Sequence, residues 1–296
     1  MTYSATQLQL THVLQRFYRR VGGKVTLATG GTTTTVIDTK LVDELGDGNE
    51  DDVFNGGTVI VIEDTGGVAP EGEFSRITDY EALTTTATFS PALTVAPASG
   101  DRVLLAPPDF PLYDMIEVVN DALEYLGNIP LVDTSLTVAG GTTDYTLPIA
   151  LKGRRIVDVV QKDGEDYYPV SGWKIIPATA GTAETITIPQ LTEGDTLYIH
   201  YLGKHPRVDA YDAPISEYFD ADLVHAAVFA HAMQWKNDNG LLTGGIDNAA
   251  QAIEQKAWSQ LDREMLRHPV QLPKRRNQGM PMWLGSNDEN DKTGYS

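Results

Sequence analysis

The sequence predicts an α+β chain, a helical bundle core with two inserted all-β units and an extended C-terminal arm. Three observations predict it. Apolar residues recur at helical spacing in four separate segments. Between these lie two stretches rich in Thr and Gly that carry short β-branched runs bounded by turn residues. Residues 269–296 show no periodicity at all. The predicted order is therefore an N-terminal core helix (1–23), a first β insertion (24–107), a second core helix (108–130), a second β insertion (131–213), two C-terminal core helices (214–268) and the arm (269–296).

Each element has its own warrant. Leu10, Leu14, Phe17 and Val21 fall at spacings of four, three and four, one face of a helix that Gly22-Gly23 stops. Arg16, Arg19 and Arg20 cluster toward its C-terminal end, where cations suit the helix dipole. In the first β insertion, Val59-Ile60-Val61-Ile62 and Val103-Leu104-Leu105 are strand-like runs between glycine-rich turns. Leu112, Met115, Ile116, Val119, Leu123 and Leu126 then share a helical face, opened by Pro111 and closed by Gly127 and Pro130. In the second β insertion, Ile156–Val160, Thr185–Ile188 and Leu197–Tyr201 are strand-like, and Asp163-Gly164 signals a hairpin. Ser216 is the predicted N-cap of a helix ending at Gly240. Its segment Leu223–Trp235 is apolar on most sides, which predicts burial on more than one side. The last helix, Ile246 to Arg267, has the stripe Ile246, Ala250, Ile253, Ala257, Leu261 and ends at Pro269.

Composition narrows the function. The 296 residues carry 22 Lys and Arg against 41 Asp and Glu, a formal charge of −19, and no cysteine. Absence of cysteine excludes a disulfide scaffold, a thiolate metal site and a cysteine nucleophile. Strong acidity argues against coating of duplex DNA, which needs clustered cations. No apolar run reaches the ~20 residues of a membrane span, and the N-terminus lacks the charged and apolar regions of a signal peptide, so synthesis in the cytoplasm is expected. The charge is uneven. From Asp38 to Glu81 there are thirteen Asp and Glu against two Lys and Arg, a negative surface that repels passing nucleic acid or meets a basic partner.

Motifs for catalysis do not emerge. There is no G-x-S-x-G, Walker loop or G-x-G-x-x-G. The acidic run 47–52 fails the EF-hand pattern, because Asp52 and Thr58 stand where Gly and Glu are required. It reads as a solvated acidic turn, with an irregular oxygen-cage cation site as the alternative. His225 and His231 are six apart, about 240° around a helix, and do not share a face. No metal and no cofactor are expected, and an enzyme is not. The arm is more telling. Met282 and Trp283 follow Lys274, Arg275 and Arg276, an apolar and cationic cluster in a segment with no core of its own. Ordering such a segment costs entropy that only contacts offset, so these residues, with Arg16, Arg19 and Arg20, are the predicted assembly contacts.

Three stretches carry a resemblance. They are Leu112–Gly127; the pair Asp144-Tyr145-Thr146-Leu147-Pro148 and Arg155-Ile156-Val157-Asp158-Val159; and Leu197–Tyr201 with Pro206 and the alanine-rich segment Asp220–Met233. Together, over about residues 110 to 240, they resemble the head-to-tail adaptor (connector, neck) proteins of tailed bacteriophages. The resemblance implies a virion protein assembled in the bacterial cytoplasm, a homo-oligomeric ring of about twelve copies docked on the portal protein and on tail or neck proteins. DNA would pass nearby without specific binding, with no membrane and no turnover. The alternatives are another tail, baseplate or peripheral virion protein whose β units bind a partner or a glycan, and a soluble hydrolase.

Overall fold

Val59, Ile60, Val61 and Ile62 are all buried, as are Val103, Leu104, Leu105 and Ala106. Successive residues of a strand point to opposite faces, so a strand buried at every position is covered on both. The protein, seen in a computed structural model that describes residues 7–39, 51–66, 71–179, 182–189, 191–243 and 248–269, is organised around such strands. It divides into two compact units. One comprises the described residues up to Gly127 and from His205 onward; the other is Asn128–Lys204.

In the first unit, β1 (Lys24–Leu27), β2 (Gly30–Thr32), β3 (Thr35–Ile37), β4 (Thr58–Glu63), β5 (Phe74–Glu81), β6 (Thr86–Ser90) and β7 (Arg102–Ala106) form an antiparallel sheet in the order β1-β7-β4-β5-β6-β3-β2. The edge strands β1 and β2 are joined by only Ala28 and Thr29. At ~3.8 Å per residue the two edges therefore lie within about 11 Å of each other, and the sheet is rolled into a barrel. Ala28 N–H donates to Asp101 O while Thr29 N–H donates to Ile37 O, so one bent strand leaves β7 and joins β3. Alternate residues fill the interior: Val59 and Val61, Ala87 and Phe89, Val103 and Leu105. Between Ile77 and Asp79 the register shifts. That extra residue returns Tyr80 to the interior, edge-on to Phe54 at 5.1 Å.

The other face of β4 and β7 meets helices. Ile60, Ile62 and Leu104 share a cavity of about 70 Å³ with Leu10 and Leu14 of α1 (Leu10–Arg20) and with Leu112 and Ile116 of α2 (Leu112–Tyr125). Tyr18 donates its hydroxyl to Phe110 O at 3.0 Å; burial holds this phenol well above its ordinary value, with Asp114 adding to the effect. The segment after His205 closes the unit. The first amides of α1 donate to Ala213 O and Tyr211 O, and Asn120 on α2 clasps Val208, accepting from its N–H at 2.8 Å and donating to its C=O at 3.3 Å. The chain continues into α3 (Ala221–Thr243) and α4 (Asn248–Arg267).

In the second unit, β8 (Asn128–Thr137), β9 (Asp144–Thr146), β10 (Arg155–Asp163), β11 (Asp166–Pro169), β12 (Lys174–Ile176), β13 (Thr185–Thr187) and β14 (Thr196–Lys204) make two antiparallel sheets, β11-β10-β14-β8 and β12-β13-β9. Val159, Leu197 and Ile199 of the first share a core with Tyr145 and Ile186 of the second. β10 and β11 are joined by Gly164-Glu165, with Gly164 at φ 57°, the positive φ that a two-residue hairpin loop requires.

The predicted helical bundle core with two inserted β units is therefore overturned. Among the described residues, fourteen strands in three antiparallel sheets carry most of the structure, with four α-helices. The physical reason is the double burial of β4 and β7. A strand with one wet face could hang from a bundle; a barrel whose wall is itself covered is part of the core. Two helix boundaries also change. α3 begins at Ala221 rather than near Ser216, because Asp220 Oδ1 accepts the Asp222 N–H at 2.9 Å and caps it, while Ser216 turns back on Phe219. It then runs through Gly240, the roughly 1 kcal/mol cost of an interior glycine being absorbed. The apolar surplus of α3 is consumed within the chain, by α1, α2 and α4.

Asn120→Ala orphans the N–H and the C=O of Val208, both of which Asn120 satisfies in a buried setting. The expected loss is about 2 kcal/mol, read as a lower denaturation midpoint at unchanged slope, with the far-ultraviolet spectrum retained.

Candidate functional site

α1 is amphipathic in an uncommon way for so acidic a chain. Its buried face is Leu10, Thr11, Val13, Leu14, Phe17 and Tyr18. His12, Arg16 and Arg20 stand four residues apart on the opposite side with Arg19 beside them, so one stripe of the helix carries the cations. Facing this stripe are Asp222, His225 and Phe229 of α3 and Gln260 and Glu264 of α4, lining a recess of about 200 Å³. A wider cleft of about 960 Å³ adjoins it, lined by Leu8, His12, Gln15, the three arginines, Ala221 and His225.

The three arginines differ in their engagement. Arg16 Nη2 is 2.8 Å from Asp222 Oδ1, with both side chains more than half exposed. Arg20 lies flat on Phe229, 3.6 Å from the ring centroid, and donates to Gln260 Oε1 at 3.0 Å. Stacking plus one neutral acceptor leaves its charge uncancelled; burial, and then Arg16, draw its pKa below the ordinary arginine value. Arg19 is exposed and makes no ion pair among the described residues. Glu264 is engaged by Arg267 at 3.0 Å and faces His268.

His225 sits at the base of this cluster. Burial pushes its pKa down to about 4, reinforced by Arg16 and His12 against the opposing pull of Asp222 and Asp220. At neutral pH it is an uncharged imidazole beneath two arginines. The other α3 histidine, His231, packs against Tyr125 and Trp258 at 5.2 and 5.1 Å, and burial lowers its pKa also.

Of the predicted contact residues, the structure brings Arg16, Arg19 and Arg20 together in this cleft. Lys274, Arg275, Arg276, Met282 and Trp283 lie outside the described residues. Of the acidic run 47–52, Asp51 and Asp52 are described: Asp51 Oδ1 accepts from Ala82 N–H and Asp52 Oδ1 from Asn55. Among the described residues no cluster of three or more metal-ligating side chains is present. Sequence reasoning missed His12, Asp222, His225 and Gln260. The four-residue spacing of His12, Arg16 and Arg20 was a usable signal; the contributions of α3 and α4 had none, because tertiary packing alone brings them there. No protein-family model matches the chain, and no curated protein is detectably similar to it.

The cleft presents three guanidinium groups. Guanidinium groups pair with carboxylates in two-pronged geometry. His225 makes the unit sensitive to acid. The unfolded chain binds a proton at this histidine as pH falls through about 6.5, the folded one only near 4, so folding stability declines across that window and the decline ends below the folded value. The expected contribution is on the order of 2–3 kcal/mol. His225→Gln should flatten the dependence of unfolding free energy on pH between 6.5 and 4, measured by denaturant titration at a series of pH values.

Proposed function

We propose that the chain is a structural subunit of a tailed-bacteriophage virion, a head-to-tail adaptor that assembles as a ring joining the portal to the tail around the DNA conduit. The observation that carries the assembly part is on α3 and α4 with α1. The cationic cleft lies on helices whose outer side also exposes Ile253, Met265 and Leu266 of α4. Exposed apolar side chains on the same layer of helices as a guanidinium cluster describe a protein-binding surface. A net charge of −19 disfavours nucleic acid, and guanidinium groups pair with the carboxylates of a neighbouring protein, including a second copy. The virion part rests on the resemblance. Its three stretches fall on α2, on β9 and β10, and on β14 leading to α3, the succession of helix, strands and helix that the adaptor resemblance implies.

A second reading is favoured by one feature of the second unit. Tyr167 is half exposed on β11, with Tyr198 at 5.4 Å from it and Lys162 Nζ over its ring at 5.5 Å. Such a platform suits a glycan or a neighbouring protein, as in a tail, baseplate or peripheral virion protein.

Native mass and negative-stain symmetry, measured with and without a portal ring, test the adaptor reading. A closed ring of identical subunits that binds the portal is expected; a monomer under every condition overturns it. Deleting residues 269–296 should leave the melting transition of the barrel in place while abolishing the joining of capsids to tails. A truncated chain that joins them normally removes the arm from the account.

A further inference from the structure

We infer that the cleft formed by α1, α3 and α4 receives carboxylates of a second copy of this chain, presented at the barrel end that carries Asp51, Asp52, Asp79 and Glu81. This rests on the assembly reading and names its contact.

The first argument is the charge left over in the cleft. Arg19 has no anionic partner among the described residues, and Arg20 has only a ring and an amide. The Arg16–Asp222 pair is solvent-exposed on both sides, and such pairs contribute little and exchange readily. Three guanidinium groups within two turns of one helix repel one another, and a carboxylate bound among them relieves that repulsion. Volume is adequate. About 960 Å³ is open in front of Arg16, Arg19 and Arg20, room for side chains from a loop rather than for an ion alone.

The second argument is where the complementary charge stands. Asp52 N–H donates to Tyr80 O, and Ala82 N–H donates to Asp51 Oδ1. These bonds tie the turn around residues 51–55 to the end of β5, so that Asp51 and Asp52 stand alongside Asp79 and Glu81. All four are exposed, and between residues 51 and 101 the one Lys or Arg is Arg76, whose guanidinium lies near Gly56. This end of the barrel is the counter-surface in charge of the cleft.

The third argument is geometry. α1 covers the barrel wall made by β4 and β7, through Ile60, Ile62 and Leu104. The carboxylates stand at the end of β5 and on the turn bonded to it. Donor and acceptor are thus different surfaces of one unit, and each copy carries one of each. A contact of this kind is heterologous, and repeated with a closing rotation it generates a ring. Nucleic acid is the weaker occupant, since a phosphate backbone approaching the cleft must also approach the acids around it.

The test uses two variants of the full chain. The first, Arg16→Glu with Arg19→Glu, removes the receiving cleft and keeps the acidic end. The second, Asp79→Lys with Glu81→Lys, does the reverse. Arg19→Glu alone, at an exposed residue without an ion pair among the described ones, serves as the control against misfolding, and melting curves verify all three. Sedimentation velocity at low salt should show self-association weakened by roughly tenfold or more in each variant. An equimolar mixture of the two double variants retains one competent contact and should give a discrete heterodimer that high salt dissociates. If both folded variants assemble as the unaltered chain does, the inference is overturned while the assembly reading stands. If the unaltered chain self-associates but the mixture gives no heterodimer, the pairing of these two surfaces is wrong. If the arginine variants lose binding to a duplex DNA probe or to inorganic phosphate while self-association is unchanged, the cleft belongs to those anions and the inference also falls. An unaltered chain that never self-associates, alone or on a portal, overturns the assembly reading itself.

Discussion

The first unit depends on the burial of β4 and β7 on both faces. Val59, Val61, Val103 and Leu105 close the barrel interior, and Ile60, Ile62 and Leu104 bind the helices to its wall. At about 25 cal/mol per Å² of apolar area removed from water, these two strands serve two hydrophobic layers with a single stretch of backbone. No other described strand of the unit does this. The remaining barrel strands alternate, as β6 shows with Ala87 and Phe89 inward and Thr86, Thr88 and Ser90 outward.

That constraint determines where the cations stand. α1 must turn Leu10 and Leu14 toward the barrel wall and Phe17 toward Phe110, 5.2 Å away and edge-on. With 100° between successive residues, His12, Arg16, Arg19 and Arg20 are then committed to the opposite side. α3 completes the arrangement. It is buried at Leu223, Val224, Ala226, Ala227, Val228, Ala230, Ala232 and Met233, because three helices pack on it, and small alanines allow their close approach. Only its first turns carry polar groups toward α1, and these are Asp222 and His225.

Much of this was legible locally and little of it globally. The strand runs, the helix of Leu10–Arg20, the proline-opened helix after Pro111 and the hairpin at Asp163-Gly164 could be read from spacing, because each depends on neighbours within a few residues. The role of Val59–Ile62 was misjudged for a reason that is physical rather than statistical. A continuous apolar run predicts a strand, and its lack of alternation already states that both faces are dry, from which a barrel wall bearing helices follows. Barrel closure was invisible, since it rests on β1 and β2 lying at opposite ends of the strand order. Ser216 and Asp220 are both good caps, and only the turn that bonds Phe219 to Ser216 distinguishes them. In the cleft, Arg16, Arg19 and Arg20 were visible as a cluster, whereas His225 and Gln260 come from helices more than two hundred residues away in sequence.

A cluster of like charges on a helix is a cost to the isolated unit, and one that ordinary substitution could remove. The stability of the barrel does not call for Arg19, which makes no ion pair among the described residues, nor does α1 need three arginines to satisfy its dipole, where one or two in the last turn suffice. Phe229 is instead spent as a platform that holds Arg20 flat, and an uncharged His225 lies beneath the group without adding to its repulsion. Positioning of this kind costs side-chain entropy before any partner arrives. It brings a return when an anion binds, because a pre-oriented guanidinium loses little further freedom. The acidity of the rest of the molecule gives the same conclusion from the other side. In a chain of this charge, dispersed arginines would be neutralised by nearby carboxylates. Grouped on one stripe of α1, they outnumber the acids that line the recess in front of them, Asp222 and Glu264, and Glu264 is already engaged by Arg267.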